Sequence, residues 1–155
     1  MPTAYRETVV DALYSALAEI GSGTGGPWNA TAAVQVERVE QIANASPNLP
    51  IIYLAGKDEI YEQRASESTW NLYWRTMTVR ILYFVEAWTP DTTISGCLHD
   101  LELALADPTL GGMVSDIVLR SNRPLYDESG APLTGLELIA DIKYRTASNA
   151  PASRR

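Results

Sequence analysis

His99 is the sole histidine and Cys97 the sole cysteine of the 155-residue chain. Nucleophilic catalysis of the Ser/His/Asp or Cys/His kind would have to run through His99. Cys97 stands two positions away, and helix positions two apart do not face each other. The plainer reading makes His99 a surface histidine and Cys97 a small core or boundary residue. Residues 21–26, Gly-Ser-Gly-Thr-Gly-Gly, match the letters of the dinucleotide fingerprint. That loop must leave a strand and open a helix, so that the helix N-terminus meets the pyrophosphate. Here it leaves a helical pattern and runs into Pro27-Trp28, as a mobile linker would. Asp58-Glu59, Asp100 and Glu102 are the closest carboxylate groupings. None shows the regular oxygen spacing of a hard-cation loop, and nothing selects a pair for glycoside hydrolysis. No catalytic, cofactor or metal residue is therefore assigned, and a non-enzyme is expected.

The four tryptophans, Trp28, Trp70, Trp74 and Trp88, carry more information. Three of them bracket one long strand pattern. Large rigid rings beside arginines make protein–protein hot spots, because they bury much area at little entropic cost. Trp70, Trp74, Arg75, Arg80 and Phe84 are candidate interface residues on that ground, and Arg123 and Tyr126 on a later loop join them. The competing reading has the tryptophans closing the ends of the core. An aromatic–basic platform for nucleic acid is disfavoured by the net charge of −7. The same charge argues against docking on anionic membrane. One cysteine permits no intrachain disulfide. The N-terminus reads as no signal segment and no apolar run approaches the ~20 residues of a membrane span, so a cytoplasmic setting is expected.

These residues need elements to hold them. Val9, Val10, Leu13, Leu17 and Ile20 recur at helical steps and predict a helix over 6–20, stopped by Gly21. Val34, Val36 and Val39 suggest a first strand. Residues 50–54 read as a short buried strand entered through Pro50, and 56–70 as a long polar hairpin connection. Residues 71–87 give the clearest strand. Tyr73, Met77, Val79, Ile81, Tyr83, Val85 and Ala87 share one face, interrupted by Arg75. The opposite face, with Trp74, Arg80, Leu82 and Phe84, is half-apolar, which fits either a second partner or cover from the chain's own loops. A second helix is predicted over 93–106, capped by Asp91, Thr92 or Thr93. A strand over 113–121, a loop over 121–134 and a strand over 135–145 follow. The whole predicts one α+β domain over 1–146, an antiparallel sheet with two helices on one face. Residues 147–155 lack any large apolar side chain and are expected to be disordered.

Several segments occur in a telling order: Val36-Glu37-Arg38-Val39-Glu40, Leu49-Pro50-Ile51-Ile52-Tyr53-Leu54, the run from Trp74 to Tyr83, the helix from Leu98 to Asp107, Thr109-Leu110-Gly111-Gly112, and the run from Leu138 to Arg145. Over residues 6–146 this set resembles the tail terminator (minor tail) proteins of long-tailed bacteriophages and of phage-derived particles such as gene transfer agents. The resemblance implies an α+β fold and a ring, commonly hexameric, on the head-proximal end of the tail tube. It implies as partners further copies of the chain, the major tail tube protein and a head–tail connector, with DNA passing through unbound. It also implies location in the virion after assembly in the host cytoplasm. Connector, neck-adaptor and tail-completion proteins have similar small folds, and that role is the alternative. The loops 56–70 and 121–134 and the half-apolar face of the long strand are the expected docking elements.

Overall fold

A computed structural model describes residues 5–23, 26–30, 33–38, 50–64, 72–86, 90–126, 133–147 and 150–154. The helical periodicity at the N-terminus forms α1 (Tyr5–Ala18), which buries Val9, Val10, Leu13 and Leu17 on one side. Gly21 takes a φ of 75°, the left-handed backbone that ends helices and that glycine adopts without steric cost. The strands are β1 (Gln35–Arg38), β2 (Ile51–Arg64), β3 (Leu72–Glu86), β4 (Asp116–Tyr126), β5 (Leu133–Ala147) and β6 (Ala150–Arg154). They form one sheet in the order β1-β2-β3-β5-β4, with β6 paired to β5 off that path. Helix α2 (Pro90–Ala104) sits between β3 and β4 in the chain. The fold is α+β, as expected from the sequence.

Five features depart from the sequence reading. Strand β1 pairs with β2 in parallel, Gln35 beside Ile51, so the sheet is mixed. Parallel neighbours need a crossover of about a dozen residues rather than a tight hairpin, and residues 39–50 supply that length. Residues 56–64, expected as loop, are the second half of β2; the pairing with β3 continues past a bulge between Ala55 and Asp58. Gly56 makes that bulge, with a φ of 60°. Residues 121–126 are likewise strand, paired with β5 from Ser121 beside Ile139 to Tyr126 beside Thr134, while 113–115 form a turn before β4. Ala150–Arg154, expected to be disordered, pairs with β5 as β6. Helix α2 also starts earlier than read, at Pro90, a residue suited to the first helical turn.

Alternation divides the sheet into two faces. Ile52 and Leu54 of β2, Met77, Val79, Ile81 and Tyr83 of β3, and Leu136, Leu138, Ala140, Ile142 and Tyr144 of β5 join the apolar residues of α1 and α2 in the main core. Both helices thus cover this inner face. The outer face holds a second, smaller cluster of Ile51, Tyr53 and Leu82, with Phe84 and Leu125 packed on it. Gly135 makes room there, since a Cβ on it would stand 2.7 Å from a ring carbon of Phe84. Strand β4 lies at the sheet edge, kinked between Leu119 and Ser121 and carrying Pro124, which cannot donate to a further strand.

The Asp107-Pro108-Thr109-Leu110-Gly111-Gly112 segment is the hinge from α2 to β4. Leu110, Gly111 and Gly112 take φ of 47°, 69° and 88° in succession. The Asp107 carboxylate accepts from the Thr109 amide at 2.9 Å, the Thr109 hydroxyl at 2.7 Å and the Gly111 amide at 2.7 Å. The Thr109 backbone bond, foremost, holds the Asp107 carboxyl below its ordinary pKa.

Candidate protein-docking face

The outer sheet face from Trp74 to Leu82 gathers most of the polar side chains that sequence alternation places on one side. Glu137 of β5 is 6% exposed and is matched by two guanidinium groups. Arg80 donates to it from Nε at 3.0 Å and also from Nη2, and Arg123 approaches at 3.2 Å. A buried carboxylate needs such partners, because an unpaired charge away from water is costly. Two rows on, past Ile139, Asp141 accepts from the Thr78 hydroxyl at 2.7 Å and from Arg120 at 2.7 Å. Burial is the largest influence on Asp141 and opposes ionisation; the Thr78 and Arg120 bonds together outweigh it, and its pKa lies below the ordinary value. The far row is aromatic and basic. Lys143 Nζ stands 5.1 Å and the Arg145 guanidinium 5.4 Å from the Trp74 ring centre, within cation–π range. Ile60, 64% exposed, and Val118, 51% exposed, flank these rows on β2 and β4. The arginines keep their charge open to solvent, Arg120 at 61% and Arg123 at 66% side-chain exposure.

Trp74, Arg80 and Arg123 therefore share this face, Arg80 and Arg123 together on Glu137 and Trp74 at the far end beside Lys143 and Arg145. Phe84 shares it but is engaged over Gly135 in the smaller cluster rather than open for docking. Arg75 does not belong to it. Strand alternation turns Arg75 to the inner face, where it is 14% exposed and faces Glu59 at 3.9 Å, with Arg6 of α1 on the same carboxylate at 3.5 Å. Burial pushes the Glu59 carboxyl up in pKa, and the two arginines only partly offset it. Tyr126 is the last position of β4, in register with Thr134. Trp70 lies outside the described residues. Glu137, Asp141, Lys143 and Arg145 read from sequence only as a wet strand face. Their alternation is visible there, but the arginines that they align come from other strands.

The residues with chemical potential take structural places. A cavity of about 430 Å³ lies between α2, the 29–30 segment and the end of β3, lined by Tyr83, Cys97 and Asp100 among others. Asp100 is 1% exposed. Its carboxylate accepts the Asn29 amide at 2.7 Å and the Ala30 amide at 2.8 Å, which ties the chain after the glycine-rich stretch to α2. Cys97 is buried while His99, two positions on, is exposed, so the two part across the helix. Burial, aided by Asp100, pushes the Cys97 thiol up to about 12. At pH 8 a thiol reagent is expected to label Cys97 at least about 10-fold more slowly in the folded chain than in urea. A raised thiol pKa contributes stability that is whole below the unfolded value and lost as pH rises toward 12. Unfolding midpoints at pH 8 and 11, for wild type and Cys97→Ala, check the sign. Among the described residues, no group of three or more His, Cys, Asp or Glu side chains gathers where it could hold a metal ion. No described helix is long and apolar enough to cross a membrane.

No family model matches the chain, and no curated protein matches it. Among solved structures it is similar to a chain of the virion of a native gene transfer agent particle. The TM-score is 0.39 at 10% identity, over 68% of this chain and 76% of that one. A likeness of that size decides neither fold nor role.

Proposed function

We propose that this chain is a structural virion protein that caps the head-proximal end of a phage-type tail tube as a ring, ends tube polymerisation and helps join tail to head. The observation that carries the docking part is the outer sheet face. Half-buried Trp74 and exposed aliphatic and guanidinium groups stand there on a rigid sheet, with carboxylates aligning the arginines. Such a face binds protein without a large cost of ordering side chains. The tail assignment rests on the ordered segments of the sequence, which now have physical roles. Pro50-Ile51 enters β2, Trp74 to Tyr83 is the centre of β3, and the Asp107–Gly112 turn aims β4 along β5. Leu138 to Arg145 supplies both faces of β5.

Capping needs one surface that covers the tube end and an opposite side that does not reproduce it. The helical layer and the open sheet face are unlike in composition, as that asymmetry requires. On this reading the chain makes and breaks no bond, the tube protein and a connector are its partners, and DNA passes without being gripped. Sedimentation and negative-stain imaging, alone and with tail tubes, test it. Rings on tube ends are expected, with Trp74→Ala/Arg123→Ala lowering tube-end occupancy at least about 10-fold, as loss of a hot-spot pair does. A chain that stays monomeric at every concentration and is missing from assembled tails would sink the reading.

A further inference from the structure

The structure assigns the cavity between α2 and the end of β3 as a binding site for an organic cation, a guanidinium or ammonium head on a short apolar stem. The inference stands apart from the ring reading and does not depend on it.

The stretches of chain that wall the cavity hold no lysine or arginine. They lie within residues 7–37, 39–56 and 81–119, whose one basic side chain is His99, exposed on α2. Two carboxylates line the cavity, exposed Glu86 and buried Asp100. Asp100 accepts only from neutral groups, the Asn29 and Ala30 amides and the Asn29 side chain. Such bonds satisfy its oxygens, and among the described residues no ion pair balances its charge. The arginines that border these stretches are engaged elsewhere. Arg38 lies on Glu7 and Asp11, and Arg80 lies on Glu137 on the opposite face of the sheet.

A second observation points into the same space. Tyr83 lines the cavity and is 1% exposed, and its hydroxyl makes no hydrogen bond among the described residues. A buried phenol usually has a polar partner. Burial first, then Cys97 and Asp100, raise the Tyr83 pKa, so the phenol stays neutral and its oxygen can accept from a cationic N–H. Thr92 and Thr93 add two hydroxyl oxygens, and Ala30, Pro50 and Val85 supply an apolar wall for the stem. The volume of about 430 Å³ suits a small ligand. An anion would meet two carboxylates and no side-chain cation. Asp91, in the first turn of α2, offsets the positive end of that helix.

Cys97 is the sole thiol and lines the cavity, so it reports on the potential there. In the full chain its modification is timed with cationic aminoethyl methanethiosulfonate and with the anionic sulfonatoethyl reagent, each rate divided by that of free cysteine. A cationic-to-anionic ratio of at least about 10 is expected, and Glu86→Gln should lower it. NMR amide shifts during addition of butylguanidinium, or of neutral butylurea, read binding itself. The shifts should centre on residues 29–30, 83–86 and 92–100, with butylurea at least about 10-fold weaker. Tyr83→Phe should weaken butylguanidinium at least about threefold while melting near wild type, since the hydroxyl holds no bond in the fold. A blocked tripeptide with a central arginine separates the two sources of such a cation. Binding as tight as butylguanidinium identifies the side chain of a partner protein; weaker binding identifies a free small cation, and either result upholds the site. Equal normalised rates for the two reagents, or equal binding of butylguanidinium and butylurea, overturn it and leave the ring reading untouched.

Discussion

Asp100→Ala is expected to lower stability by about 3 kcal/mol, the scale of hydrogen bonds to a charged group whose donors are then left buried. The Asp100 carboxylate is the anchor for two consecutive amides, Asn29 and Ala30, which lie 71 and 70 residues away in the chain. With it removed, those N–H groups face a cavity with no acceptor of equal strength. Asp100→Asn keeps one acceptor oxygen but turns an amide nitrogen toward the second donor, so an intermediate loss of about 1–2 kcal/mol is expected. Urea unfolding read by tryptophan fluorescence checks both. Half-buried Trp28 adjoins the tethered segment, so its emission should move toward that of exposed indole in Asp100→Ala before global unfolding. Equal midpoints for wild type and Asp100→Ala would show that the tether contributes nothing.

Gly135→Ala is the second large effect, a loss of about 1–3 kcal/mol from overpacking. The added methyl would stand 2.7 and 2.8 Å from two ring carbons of Phe84 and 3.3 Å from Leu125 Cβ. The ring cannot simply swing away, because Tyr53 meets it edge-on at 6.1 Å between centres. Gly135→Val should cost more. Combining Gly135→Ala with Phe84→Leu removes the clash, so the double variant should be more stable than the sum of the two singles. Thermal unfolding of the four chains measures that coupling. Strict additivity would mean that Phe84 does not rest on Gly135.

Strand β3 is legible from sequence because its alternation is long and one face is almost purely apolar. The helices are legible for the same reason at a different period. The second half of β2 is not. Gly56, Lys57, Asp58 and Glu59 look like loop, and their strand conformation depends on pairing with β3 from Asp58 beside Thr78 to Arg64 beside Tyr73. The misreading carries over to Arg75. Its parity sets it on the inner face, yet its charge suggests a surface role. Its partner Glu59 was hidden in a segment read as a loop, and only the register of β2 brings the two together. Ser121 to Tyr126 is hidden in a similar way, since Pro124 suits an edge strand and a turn alike. The docking face was half visible. Trp74 and Arg80 follow from one strand's pattern, whereas Glu137 aligning Arg80 with Arg123 needs the order of three strands, which no local signal encodes.

The uneven edge at β4 has a consequence for how copies of the chain meet in solution. An exposed sheet edge offers unpaired backbone groups to any other copy of the chain that it meets. A flat, uninterrupted edge would let copies zip into fibres. The kink after Leu119 and the missing donor at Pro124 leave only short uninterrupted runs for an incoming strand. The same irregularities that made this stretch look like a loop work against edge-to-edge pairing of copies.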